Sequence, residues 1–148
     1  MGFKTVVVAV DGSEHALKAV DIASEVALAH GSKLLVLSAY KHMSYPESSH
    51  SLVRTREVPE VPDAALHEQA QAVVDQAVAR ARERGVKDLE AVVRRGPIAR
   101  TIVDFAKERR ADAIIMGSRG LGDVSGFLLG SVSHKVSQIA ECTVIMVK

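Results

Sequence analysis

Cysteine is nearly absent from this chain, with one residue, Cys142, in 148. A lone cysteine excludes an internal disulfide and any metal site built from several thiolates. Cys142 itself is expected to be a buried small apolar residue beside the run 143–147 rather than a redox thiol. An excess of one charge is also missing. Nineteen Lys and Arg stand against 18 Asp and Glu, a formal net charge of +1. Nothing therefore predicts a nucleic acid or another polyanion held by bulk electrostatics. A small anion is still open, since a local site needs no global charge.

No apolar run approaches the ~18 residues of a membrane span. The strand-like run 4–10 begins at once, without a signal-peptide layout, so the expectation is a cytoplasmic chain with no membrane insertion. Internal repeats and low-complexity segments are lacking. The six histidines (15, 30, 42, 50, 67 and 134) show no His-x-x-x-His or Glu-paired spacing, and surface placement is expected for them. The pairs Arg94-Arg95 and Arg109-Arg110, and the series Arg80, Arg82 and Arg84, read as solvated faces.

What is present is a regular alternation. Short β-branched runs occur at 5–10, 34–39, 89–93, 113–116 and 143–147, several apolar at nearly every position. Strands buried on both faces of a parallel sheet require such runs. Between them lie four helical periods. Their faces are Ala16, Ala19, Val20, Ala23 and Ala27, then Leu66, Ala70, Val73, Val74, Ala77 and Ala81. Ile98, Ile102, Phe105 and Ala106 follow, and finally Val132, Val136, Ile139 and Ala140. Ser13 is expected to cap the first helix and Asp63 the second, and Pro97 to open the third. Gly31 and Gly85 stand where the first two should stop. The prediction is one domain over 1–148, an α/β, doubly wound, Rossmann-like fold. Its five-stranded parallel sheet has the order 3-2-1-4-5 and carries four helices. Such sheets take ligands beyond the carboxyl ends of their strands, where the strand order reverses.

Two segments break the regularity. Residues 41–61 are polar, and the expectation is a long mobile loop. Residues 117–130 hold five of the ten glycines. Gly117-x-x-Gly120, nine residues, then Gly130-Ser131 lies between a buried strand and an amphipathic helix. Glycines let backbone N–H groups approach an anion, and the N-terminus of the following helix favours phosphate. Neither Gly-x-x-x-x-Gly-Lys-Ser/Thr nor Gly-x-Gly-x-x-Gly after the first strand is present, so two familiar phosphate motifs are excluded.

At Gly117-Ser118-Arg119-Gly120 and Gly130-Ser131-Val132 the chain resembles the ATP-binding branch of the universal stress protein family. The likeness spans nearly the whole chain, including Val8-Ala9-Val10-Asp11-Gly12-Ser13, Gly96-Pro97, the run 111–116 and a final Cys-x-Val strand. Thr143 departs from it, where the family usually has proline, and residues 41–61 match no consensus. The resemblance implies an adenine nucleotide: ATP, or AMP, ADP or cyclic AMP, with Mg²⁺ as a further candidate. Gly117, Gly120, Gly130 and Ser131 would then hold phosphate, with Ser118, Arg119 and Val132 beside them. Ala39 would read the adenine edge through its backbone. Met116 either packs beside the sugar or base or fills the core, and both readings stay open. Asp11, with Gly12 and Ser13, would meet the ribose or a phosphate-bound metal ion. A carboxylate there also suits an Asx turn, and both roles stay open.

No catalytic set accompanies the glycines. The expected function is a nucleotide-binding regulatory protein of the stress response that signals occupancy to a protein partner. A slow ATPase or adenylyl-transferring enzyme, and a nucleotide-independent dimeric module, are the alternatives. Residues 143–147 form an apolar run at an expected sheet edge, and the resemblance implies a homodimer through it.

Overall fold

A computed structural model describes residues 2–41, 62–121 and 130–148. The expected loop, Lys41 excepted, lies outside the described residues, as do residues 122–129 of the glycine segment. The elements alternate as β1 (Thr5–Ala9), α1 (Glu14–His30), β2 (Lys33–Tyr40), α2 (Asp63–Glu83) and β3 (Leu89–Arg95). After these come α3 (Ile98–Glu108), β4 (Ala113–Gly117), α4 (Ser131–Ile139) and β5 (Thr143–Val147). The strands form one parallel sheet ordered β3-β2-β1-β4-β5. This is the doubly wound, Rossmann-like arrangement that the alternation predicts, with four helices among the described residues.

The unbroken apolar runs have a simple cause. Successive side chains on a strand point to opposite faces, and both faces are covered. Val6, Val8, Leu34, Val36 and Ile115 pack with Ala19, Val20, Ala23, Val74 and Ala77 of α1 and α2. Val7, Leu35, Leu37, Ile114 and Met116 pack with Ile102, Phe105 and Val136 of α3 and α4. The alanine face of α1 keeps that helix close to the sheet. Its ends carry the expected signals: the Ser13 hydroxyl accepts from the Ala16 N–H, and Gly31 closes the helix at φ 63°.

Other boundaries differ from expectation. Pro62, not Asp63, occupies the N-cap of α2, without a side-chain hydrogen bond. Asp63 is the first helical residue, where its charge suits the helix dipole. Ala140 is extended and ends α4 instead of continuing it. Cys142 precedes β5 and is half-buried rather than buried. Burial pushes its thiol above the ordinary range, so it stays protonated and weakly nucleophilic. No helix among the described residues is long and apolar enough to cross a membrane.

Of the arginines expected on solvated faces, Arg82, Arg84, Arg95 and Arg110 are exposed, and several of the series also form ion pairs. Arg80 and Arg84 both reach Asp21 of α1, at 2.6 and 2.7 Å, which ties α2 to α1. Arg94 pairs with Glu108, and Arg109 with Glu90; both guanidinium groups also lie over the Phe105 ring. At the start of β1, the Thr5 and Lys4 N–H groups donate to one oxygen of Asp112, at 2.9 and 2.7 Å.

These contacts make acid the weak side of the fold. The guanidinium of Arg80 beside Asp21, that of Arg109 beside Glu90, and the two N–H groups on Asp112 hold all three carboxyls below their usual range. A carboxyl lowered in the folded state contributes stability that is complete above its unfolded value, about 3.9 for Asp and 4.3 for Glu. That stability is lost as pH falls through the lower folded value, because the unfolded chain takes up the proton first. Thermal melts should therefore be flat above about pH 5 and fall below about pH 4. Asp112→Asn, which can still accept from both N–H groups but cannot titrate, should make the acid limb shallower.

Candidate functional site

The sheet changes direction between β1 and β4, and there the chain leaves the two strands to opposite sides. A cavity of about 700 Å³ opens at their carboxyl ends. That volume falls within the range of small-molecule sites, roughly 300–1,000 Å³. Of the residues singled out from the sequence, Asp11, Gly12, Ser13, Ala39, Met116, Gly117, Arg119, Gly120, Ser131 and Val132 line it. Ser118 and Gly130 do not.

Asp11 begins the turn after β1, and backbone N–H groups meet both of its carboxylate oxygens. Ser13 N–H donates to Oδ1 and Leu121 N–H to Oδ2, each at 2.9 Å. The first is the Asx turn anticipated from Asp11-Gly12-Ser13, in which Gly12 takes φ 88°. The second is a long-range tie that fastens the start of the glycine segment to the end of β1. No local sequence signal announces it.

Gly117 owes its identity to packing. A Cβ there would stand 2.7 Å from His15 Cβ and 2.9 Å from the His15 carbonyl carbon. The first turn of α1 thus rests directly on the end of β4. Ser118 is 2% exposed and serves as a brace. Its N–H donates to the Val147 carbonyl at 2.7 Å. Its carbonyl accepts from Gly130 N–H at 2.6 Å and from the Ser133 hydroxyl at 2.7 Å. These bonds bring the two ends of the glycine segment together and occupy the Gly130 N–H, which is then not offered to an anion.

The consequence falls on α4. Gly130 is its N-cap, and the first helical bond runs from His134 N–H to the Gly130 carbonyl. The N–H groups of Ser131, Val132 and Ser133 take no partner among the described residues, and all three residues line the cavity. Three free donors at the positive end of a helix form an anion receptor. Arg119 adds a cation at the same end, with its Nε buried and unpartnered among the described residues.

The opposite end belongs to β2. Val10 N–H donates to the Leu37 carbonyl and Gly96 N–H to the Tyr40 carbonyl, both at 2.9 Å. Backbone polarity alternates along a strand within a parallel ladder. The N–H and C=O of Ala39 therefore turn toward the β1 side, past the last paired residue of β1, Ala9. Neither takes a hydrogen bond among the described residues. The result is a donor and an acceptor side by side on one edge of the cavity.

Between the two ends the walls are largely apolar. Met116 is both core and lining, at 6% exposure. Val10, Leu66, Val73, Ile98 and Ile102 share that duty, and sequence reading assigned them only to strands and sheet-covering helices. Val10 directly follows β1, and the other four lie within the first three turns of α2 or the first two of α3, at the carboxyl side of the sheet; that placement is the signal for them. Ser38, Tyr40, Lys41, Gln69 and Ser133 also line the cavity and had no signal at all.

Comparison with known proteins agrees with this fold. The profile of the universal stress protein family matches residues 2–148. A universal stress protein of Thermus aquaticus is 37% identical over 150 residues, spanning 99% of each chain. A universal stress protein solved in complex with cAMP matches with a TM-score of 0.72 at 29% identity, over 99% of this chain and 98% of that one. The universal stress protein from Archaeoglobus fulgidus in complex with dAMP gives 0.74 at 25% identity, over 100% of both chains.

Proposed function

Since the chain belongs to the universal stress protein family, we propose that its cavity binds an adenine nucleotide, with ATP, ADP, AMP and cyclic AMP as candidates. The observation that carries this reading is the pairing of two unlike ends. Three free N–H groups and Arg119 suit phosphate, and the donor–acceptor edge of Ala39 suits the N1 and amino group of adenine. Apolar walls between them suit a purine and a sugar. Two similar structures hold cAMP and dAMP, ligands of the same chemistry.

Asp11 faces the ribose in this reading, its remaining lone pairs accepting sugar hydroxyls. A divalent cation enters together with a di- or triphosphate. Mg²⁺ commonly binds one carboxylate plus substrate phosphates, and Asp11 is the acidic residue among the described lining residues. Those residues show no group of three His, Cys, Asp or Glu able to hold a metal ion by themselves.

The protein acts by binding and reporting. Asp11, the nearest carboxylate, already ties Ser13 and Leu121, which suits positioning better than proton transfer. Ligand at the cavity bears on that tie, and a partner protein reads the change in the surrounding loop. A homodimer formed along β5 belongs to the same proposal. Among the described strands β5 pairs with β4 alone, and Val144 to Val147 are only half-buried.

A thermal-shift series with AMP, ADP, ATP, cyclic AMP and GTP tests the binding. A ligand at 100 times its Kd stabilises by about 2.7 kcal/mol, or about 5–10 °C for a domain of this size. At least one adenine nucleotide should produce that shift. A flat series across all of them would refute the reading.

A further inference from the structure

Five serines are buried: Ser24, Ser32, Ser38, Ser118 and Ser133. Three donate to backbone carbonyls, Ser24 to Val20, Ser32 to Phe3 and Ser133 to Ser118. Such bonds are what a hydroxyl removed from water requires. Ser38 is 4% exposed, and its hydroxyl takes no partner among the described residues. Ser118 also has no side-chain bond, but it lies off the cavity; Ser38 lines it.

Its position follows from the strand. Leu37 packs toward α3 and α4, and Val36 toward α1 and α2. Alternation turns Ser38 to the side of α1 and α2, directly before the Ala39 backbone edge. The surrounding lining on that side is apolar, with Ala16, Ala70 and Val73. The hydroxyl is open to the cavity and not spent on a protein acceptor among the described residues, which leaves it available to a ligand. An alanine would fill nearly the same space without the hydroxyl.

We propose that Ser38 is a specificity residue of this site, its hydroxyl hydrogen-bonding the polar edge of the bound adenine beside the Ala39 backbone pair. This rests on the adenine-nucleotide reading and extends it to a side chain that reads the base. The hydroxyl has no protein partner among the described residues and gains one from the ligand in the complex. Its removal should therefore spare the ligand-free fold and weaken the complex.

The test is Ser38→Ala, with the melting temperature of the ligand-free protein and the affinities for AMP, 2′,3′-dideoxy-AMP and adenosine measured for both proteins. The ligand-free variant should melt at the wild-type temperature or above it. All three ligands should weaken by the same factor, about tenfold, the loss of one well-placed hydrogen bond. A uniform factor assigns the contact to the base, because the three ligands differ in sugar hydroxyls and phosphate. Unchanged affinities would overturn the proposal, as would a lowered melting temperature or a loss confined to AMP. If wild-type protein binds none of the three, the adenine-nucleotide reading itself fails. If wild type binds and the variant matches it, only the role of Ser38 fails.

Discussion

Gly117→Ala is expected to lower the melting temperature of the ligand-free protein by about 5–10 °C, with Gly117→Val lower still. The new Cβ would come within 2.7 Å of His15 Cβ and 2.9 Å of the His15 carbonyl carbon. The second of these atoms is backbone, so no rotamer change relieves the contact, and the first turn of α1 must move off β4. That turn carries the Ser13 cap and adjoins Asp11, so the cavity wall moves with it. Circular-dichroism melts without nucleotide measure the effect. A variant with the wild-type melting temperature and no nucleotide binding would show that this glycine serves the ligand alone. Lost binding in a Gly117 variant is therefore poor evidence for phosphate contact, which calls for a different substitution.

Ser131→Pro is that substitution, and it should weaken AMP binding by about 10–100-fold while leaving adenosine binding unchanged. Ser131 is the first residue of α4, the helical position that tolerates proline best. Proline also restricts the residue before it to extended conformations, and Gly130 already has φ −72° and ψ 166°. The helix should fold as before. What disappears is one of the three free N–H groups facing the cavity, a bond to a charged phosphate in the complex. Ser131→Ala, measured alongside, separates the loss of the hydroxyl from the loss of the N–H. Equal weakening of AMP and adenosine would mean that α4 does not hold the phosphate.

The fold is far more legible in the sequence than the roles within the glycine segment. The buried runs at 5–10, 34–39 and 113–116 identify themselves because both faces of a parallel sheet are apolar. The small-residue face of α1, with Ser13 and Gly31 at its ends, does the same for a helix. The cavity's location was legible too, since strand order reverses between β1 and β4. Roles within it were less so. Gly117 and Gly130 look alike in a motif, yet one spares α1 a collision and the other spends its N–H on Ser118. The Asp11 tie to Leu121 and the ion pairs of Arg80 and Arg109 join residues far apart in sequence, and no local pattern encodes them. Ser38 was invisible for another reason: one serine in a strand has meaning only when its missing partner is known.

The central claim is that one ligand bridges the Ala39 edge of β2 and the first turn of α4. Amide resonances report both ends at once, and a titration of ¹⁵N-labelled protein with AMP reads them directly. The Ala39, Ser131, Val132 and Ser133 amides should shift together along one saturable curve and become protected from hydrogen exchange. No binding, or binding that leaves the Ala39 or the α4 amides unmoved, would contradict it.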